Sequence, residues 1–134
     1  MIRTLIVDDN ETYRETLRNL LSTNFSSMAF NEAGDGSEIL KKIQTFRPDL
    51  IFIDINLPGE SGLDLTKKIK NFHADIIVII ITIYDFPEYR EAADLCGANH
   101  FLSKGCSSAE EILALVNSIL KDLGKSDRVD PHVA

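Results

Sequence analysis

The stretch Asp49–Leu65, DLIFIDINLPGESGLDL, decides the fold. Leu50–Ile53 is apolar at every position. So short a run, without the alternation of a half-exposed strand, reads as a strand covered on both faces, as in a parallel sheet between helices. It stops at Asp54, and Asn56, Leu57, Pro58 and Gly59 are turn chemistry. Ser61 stands where an N-cap belongs, and Leu65 and Ile69 mark the apolar face of a helix over Ser61–Asn71. A buried strand thus delivers a carboxylate to its carboxyl end, and a loop and helix carry the chain away.

Outward from this unit the pattern recurs. Strand-like runs stand at Thr4–Val7, Met28–Ala33, Ile76–Ile81 and, more weakly, His100–Leu102. Amphipathic segments follow them. Leu17, Leu20 and Leu21 mark Glu11–Ser22; Ile39, Leu40 and Ile43 mark Ser37–Phe46; Tyr89, Ala92, Ala93 and Cys96 mark Pro87–Cys96. Ser107–Leu123 carries the clearest stripe, with Ile112, Leu115, Val116, Ile119, Leu120 and Leu123 at helical spacing. Pro48 ends the second helix, Gly97 suits a left-handed cap after the fourth, and Ser107 with Glu110 makes a capping-box pattern before the fifth. Strands alternating with helices five times over predict an α/β fold around one parallel sheet. The 134 residues suit a single domain, over residues 1–123. Gly124–Ala134 is polar, contains Pro131, and reads as a tail or the start of a linker.

Composition narrows the function classes. The chain is 44% hydrophobic and 26% charged, which excludes a disordered or collagen-like protein. Its formal net charge of −7 works against binding a phosphate backbone, so no direct contact with nucleic acid is expected. The two cysteines, Cys96 and Cys106, are no disulfide framework. The longest apolar run, Ile76–Ile81, is far short of the ~20 residues of a membrane helix. Leu5–Val7 runs directly into Asp8 and Asp9, which is not a signal peptide. A cytoplasmic location away from membranes is the expectation.

In open α/β sheets, ligands sit at the carboxyl ends of the strands. Those ends carry Asp8–Asp9, Asp54, Thr82 and Ser103–Lys104. Three neighbouring carboxylates repel one another unless a cation lies among them. An all-oxygen donor set points to Mg²⁺. A carboxylate can act as nucleophile to give an acyl phosphate, while an ammonium and a hydroxyl steady the phosphoryl oxygens. The set suits acceptance of a phosphoryl group on one aspartate. His73, His100 and His132 show no ligand spacing, and Cys106 has no paired base.

These pieces together resemble the receiver domain of two-component response regulators. The resemblance rests on LIVDD at Leu5–Asp9, EAGDGSEIL at Glu32–Leu40, the Asp49–Leu65 stretch, IIIT at Ile79–Thr82 and GANHFLSKG at Gly97–Gly105. In this order they cover about residues 2–123. The resemblance implies a flavodoxin-like doubly wound (βα)5 fold with sheet order 2-1-3-4-5. It implies that Asp54 is the phosphoacceptor, that Asp9 and Asp8 ligate Mg²⁺ together with Asp54, and that Asn56 offers its backbone carbonyl to the metal. Thr82 and Lys104 would contact the phosphoryl group, and Phe101 falls at the aromatic switch position. The implied partner is a sensor histidine kinase, with a homodimer possible through the face of the fourth helix, fifth strand and fifth helix.

Three positions depart from the common pattern. Gly105 replaces a frequent proline after Lys104, which resembles the LuxR/NarL-type subfamily with helix-turn-helix outputs. Ile83 stands after Thr82 where a small residue is usual, and with Tyr84 it is expected to restrict access to the phosphoryl group. Phe101 lacks the hydroxyl of the more common tyrosine. Gly124–Ala134 is too short for a helix-turn-helix domain of about 60 residues, three helices of ordinary length. The expectation is therefore an output outside these residues, in a longer transcription factor rather than a stand-alone receiver. Two other readings stay open. An aspartate-nucleophile phosphatase of the haloacid-dehalogenase type would want an acid at Asn56 and a cap domain. A pseudo-receiver binding module would have lost an acidic residue or the lysine, and none is missing.

Overall fold

The computed structural model describes residues 1–124. Its elements alternate without exception: β1 Ile2–Val7, α1 Glu11–Asn24, β2 Met28–Ala33, α2 Ile39–Phe46, β3 Leu50–Ile53, α3 Gly62–Phe72, β4 Ile77–Thr82, α4 Pro87–Leu95, β5 His100–Ser103 and α5 Ala109–Asp122. The strands form one parallel sheet in the order β2-β1-β3-β4-β5. This is the doubly wound, flavodoxin-like arrangement read from the resemblance. From residue 125 onward, the expected tail lies outside the described residues. No described helix is long and apolar enough to cross a membrane.

The unbroken apolar runs are explained by two cores. Successive strand residues point to opposite faces, so a strand covered twice needs apolar residues at both parities. Ile6, Phe52, Ile79 and Ile81 meet Leu17 and Leu21 of α1 and Val116, Ile119 and Leu120 of α5. Their neighbours Leu5, Val7, Ile51, Ile53, Val78 and Ile80 meet Ile39, Ile43, Leu65, Ile69 and Ala93 of the other three helices. Each such side chain contributes about 1.5–3 kcal/mol on burial. The edge strand β2 is only half-buried apart from Ala33.

The helix boundaries follow local chemistry. Ser61 caps α3, its hydroxyl accepting from the Leu63 N–H. Gly97 follows α4 with φ at 92°, the left-handed value glycine adopts without strain. Two expectations need correction. Helix α5 is capped by Ser108, which accepts from the Glu111 N–H. Ser107 is occupied elsewhere, its hydroxyl accepting from the Ser103 N–H to close the β5–α5 loop. Helix α2 begins at Ile39 rather than Ser37, because the Asp35 carboxylate accepts both the N–H and the hydroxyl of Ser37 in a turn of its own. Leu40 and Leu123 lie outside the core, at 41% and 39% exposure, while Leu113 is buried beside Ile112.

One backbone approach ties the fold to the strand ends. Gly62 donates its N–H to the Ile55 carbonyl at 2.9 Å. A methyl group at Gly62 would lie 1.9 Å from the Asp54 carbonyl oxygen, which is backbone and cannot swing aside. Overpacking of this kind typically costs about 1–3 kcal/mol. Gly62→Ala should therefore destabilise the fold by an amount in that range, read as a lower urea midpoint, and displace Asp54. An unchanged midpoint would show that the β3–α3 loop yields freely.

Candidate functional site

The sheet order brings the charged residues together. β1 lies beside β3 with Val7 opposite Ile53, so the residues that follow, Asp8 and Asp54, emerge side by side. Backbone bonds hold both: the Asp8 N–H donates to Ala33 and the Asp54 N–H to Val7, each at 3.0 Å. Each carboxylate then uses one oxygen on its own loop. Asp8 Oδ1 accepts from the Asn10 N–H at 2.9 Å, and Asp54 Oδ1 from the Asn56 N–H at 3.2 Å. Both Oδ2 atoms turn to Lys104 Nζ, at 2.6 Å for Asp8 and 2.9 Å for Asp54.

Lys104 arrives from β5 across β4. Thr82 is in register with Ser103, and the Lys104 N–H donates to the Thr82 carbonyl at 2.9 Å. Asp8 and Asp54 are buried, Asp9 is exposed, and one carboxylate oxygen from each lies within 4.8 Å of the others. The cation expected among three carboxylates is thus supplied in part by Lys104. It does not satisfy them fully. Its Nζ reaches both buried Oδ2 atoms, but it is a single positive charge against three carboxylates. Three carboxylates around one ammonium form an arrangement that a hard divalent cation would complete.

Burial alone would lower the affinity of Lys104 for its proton. The close contacts with Asp8 and Asp54, and their charges, outweigh it and hold the ammonium above its ordinary range. The ring of Tyr13, on the first turn of α1, lies 4.3 Å from Lys104 Nζ. Burial first, and the charges of Asp8 and Asp54 second, push the Tyr13 phenol up to about 12.

Asp9, Asn10, Tyr13, Asp54, Asn56, Ile83, Tyr84 and Lys104 line an open cleft of about 400 Å³. A larger cavity of about 550 Å³ lies between α2 and α3, among Asp35, Lys41, Glu60 and Lys68, and touches none of the clustered carboxylates. Charge rather than size picks out the site.

Asp8, Asp9, Asp54 and Lys104, all named from the sequence, meet here. Thr82 is fully buried at the end of β4, its hydroxyl accepting from the Tyr84 N–H at 3.3 Å. The Asn56 side chain is exposed. Ile83 is 66% exposed on the cleft wall, so it does not point into the core beneath α4. Phe101 lies apart, half-buried near Tyr89 and Ala98, with the Arg90 guanidinium 4.7 Å above its ring. Arg90 is itself paired with Asp85 at 2.6 Å.

Two residues escaped the sequence reading. Tyr13 left a weak signal, one helical turn beyond Asp9. Arg14 left none: it donates to the Asp8 carbonyl at 2.5 Å and pairs with Glu32 at 3.1 Å, a contact that exists only once β2 lies beside β1.

Comparison with known proteins agrees with this geometry. The sequence model of the response regulator receiver domain matches residues 4–117. The response regulator MprA of Mycobacterium bovis is 32% identical over 129 residues, 96% of this chain and 55% of that protein. The chain spans about half the length of the curated relatives it matches. Among solved structures, the signal receiver domain of the response regulator NarL from Mycobacterium tuberculosis superposes with a TM-score of 0.79 at 29% identity, covering 90% of this chain and 96% of that one. A response regulator from Burkholderia pseudomallei, solved with a phosphorylated aspartic acid, calcium ion and citrate, gives 0.77 at 26% identity, covering 92% and 71%.

The site geometry predicts an alkaline signature. With the Tyr13 pKa raised from 10.0 to about 12, this residue favours the folded state fully below pH 10 and loses that contribution as pH rises through 12. Lys104, also raised, acts in the same direction. Absorbance titration of tyrosinate should show an ionisation near pH 12 that Tyr13→Phe abolishes. Its persistence in Tyr13→Phe would assign the late proton to another tyrosine.

Proposed function

The chain belongs to the response regulator receiver domain family, and from that membership we propose that it is a Mg²⁺-dependent phosphoacceptor, phosphorylated on Asp54 by a sensor histidine kinase. The observation that carries this reading is the meeting of Asp8, Asp9, Asp54 and Lys104 at the carboxyl ends of the strands, three carboxylates around one ammonium. The phosphorylated aspartate and calcium ion of the Burkholderia pseudomallei regulator support it.

In this reading Asp8, Asp9, Asp54 and the Asn56 carbonyl would hold Mg²⁺. A bound Mg²⁺ supplies charge neutralisation for the phosphoryl oxygens. A carboxylate oxygen of Asp54 attacks the phosphorus of the donor's phosphohistidine; the phosphorus–nitrogen bond breaks and its electron pair stays on the imidazole. Lys104, already against Asp54 Oδ2, shifts its ammonium to a phosphoryl oxygen. Thr82 turns its hydroxyl from the Tyr84 N–H to another. Hydrolysis of the acyl phosphate resets the domain, so its product is a conformational state rather than a released metabolite. The Thr82 movement and the packing of Phe101 bias the α4–β5–α5 face between two states, through which a second copy or an output domain is engaged.

Gly105 and the likeness to the NarL receiver support a LuxR/NarL-type regulator of transcription whose DNA-binding output lies outside residues 1–124. The net charge of −7 supports a receiver that does not itself bind nucleic acid. Phosphorylation by a sensor histidine kinase would go with a cytoplasmic place beside the kinase's catalytic parts.

Incubation with a small phosphodonor and Mg²⁺ should add the mass of one phosphoryl group, and Asp54→Asn should add none. Undiminished labelling of Asp54→Asn, by intact mass, would move the acceptor elsewhere.

The cleft wall sets how long the mark lasts. Hydrolysis needs a water in line with the scissile bond, and misplacement by ~1 Å can slow a reaction about a hundredfold. Ile83 is β-branched, has few rotamers, and stands with Tyr84 at the opening. The exposed Asn56 amide can hold a water, but a blocked path is not restored by one hydrogen bond. Self-dephosphorylation should be slow and should quicken several-fold in Ile83→Ala, followed by mass over time. Equal decay in both proteins would show that water reaches the phosphoryl group by another side.

A further inference from the structure

Lys104 has a third neighbour that the phosphoacceptor chemistry does not require. Its ammonium is bracketed by Asp8 Oδ2 at 2.6 Å, Asp54 Oδ2 at 2.9 Å and the Tyr13 ring, whose centroid is 4.3 Å from Nζ. The lysine side chain is only 12% exposed, so the ring faces a largely desolvated cation. Under those conditions attraction between a cation and an aromatic face is at its strongest.

The three contacts differ in permanence. A metal ion held by Asp8 would compete with Lys104 for that carboxylate, and a phosphoryl group on Asp54 would alter the second partner. The ring keeps its charge distribution whatever happens to the carboxylates. It is also well fixed. The Tyr13 N–H donates to Asn10 Oδ1 at 3.1 Å in the N-cap of α1, and the ring packs against the apolar cluster of α1, α5 and the sheet. The next residue, Arg14, braces the same turn to the Asp8 carbonyl and to Glu32. A four-carbon lysine stem, by contrast, has many rotamers to lose.

We infer that Tyr13 is a positioning residue for Lys104. Its ring is a neutral platform that keeps the ammonium beside Asp54 when Asp8 is taken by a cation, placing it for the incoming phosphoryl group. This rests on the phosphoacceptor reading. Without the ring, Lys104 collapses onto Asp8, its shorter contact, where it competes with the metal and stands further from the phosphoryl oxygens.

The experiment uses phosphoramidate with saturating Mg²⁺ on wild type, Tyr13→Phe, Tyr13→Leu, Lys104→Gln and the Tyr13→Leu/Lys104→Gln double variant, with rates from intact mass. Tyr13→Phe keeps the ring and should stay within about twofold of wild type. Tyr13→Leu keeps an apolar body without the ring, and its maximal rate should fall about five- to tenfold, the size of one such contact. In the Lys104→Gln background, Tyr13→Leu should change the rate by less than about twofold, since the ring then has no ammonium to hold. Equal slowing in both backgrounds, or none in either, overturns the inference.

A second measurement needs neither a phosphodonor nor a Tyr13 variant. The Lys104 Cε protons of the wild type, assigned by their loss in Lys104→Gln, should be ring-shifted upfield by NMR, with and without Mg²⁺. Absence of that shift in the presence of Mg²⁺ overturns the platform. Failure of wild-type phosphorylation with the shift intact would instead count against the phosphoacceptor reading alone.

Discussion

Everything at the functional end of this molecule depends on two buried carboxylates standing side by side. Asp8 and Asp54 end adjacent parallel strands, and the backbone bonds that hold them there belong to the sheet itself. Taking charge out of water costs several kcal/mol per ion even after relaxation, so the pair requires a cation. Lys104 provides one, reaching both from a third strand. The arrangement is under-compensated: two buried carboxylates and a third at the surface share one ammonium. That residual negative charge is what the proposed metal and phosphoryl chemistry would draw on.

The rest of the fold makes such a site affordable. Strands β1, β3 and β4 are apolar on both faces and lie between two helical layers, so the central sheet is rigid where the charged ends emerge. Gly62 lets α3 begin against the Asp54 carbonyl, closer than any side chain would allow. On the opposite flank, Arg14 joins the β1–α1 loop to Glu32 on β2, with Arg18 as a second partner for the same carboxylate. Each acidic loop is thus pinned by its own device, the β3–α3 loop by backbone approach at Gly62 and the β1–α1 loop by the Arg14 guanidinium.

The cleft is built from unlike walls. Asp9, Asn56 and Lys104 offer charge and polarity, while Tyr13, Ile83 and Tyr84 offer bulk. The bulky members cluster toward α1 and the β4–α4 loop. Tyr84 also stacks near Tyr89, at 5.7 Å between ring centroids, and Phe86 lies 6.2 Å from Tyr89. The loop that restricts the cleft is therefore continuous with the aromatic packing of α4, and Phe101 lies on that same side beneath Arg90.

The sequence alone determined the architecture and the charged inventory. Apolar strand runs, helical stripes and the order of elements are local patterns, written by periods of about two and 3.6 residues. They place Asp8, Asp9, Asp54, Thr82 and Lys104 at strand ends because a polar residue that stops an apolar run is visible in the sequence. Caps were less legible: Ser107 and Ser108 are chemically alike, and only the bond from Ser103 shows which one closes the loop and which one caps α5. The exposure of Leu40 and Leu123 depended on where the helices meet the sheet. What the tertiary structure alone decided is who touches whom across the strands. Lys104 between two carboxylates fifty and more residues away, the Tyr13 ring over its ammonium, Arg14 on the Asp8 carbonyl and Ile83 on the cleft rather than in the core are contacts between distant segments. No local period encodes them, because they arise only when strand order and register bring separate loops to one rim.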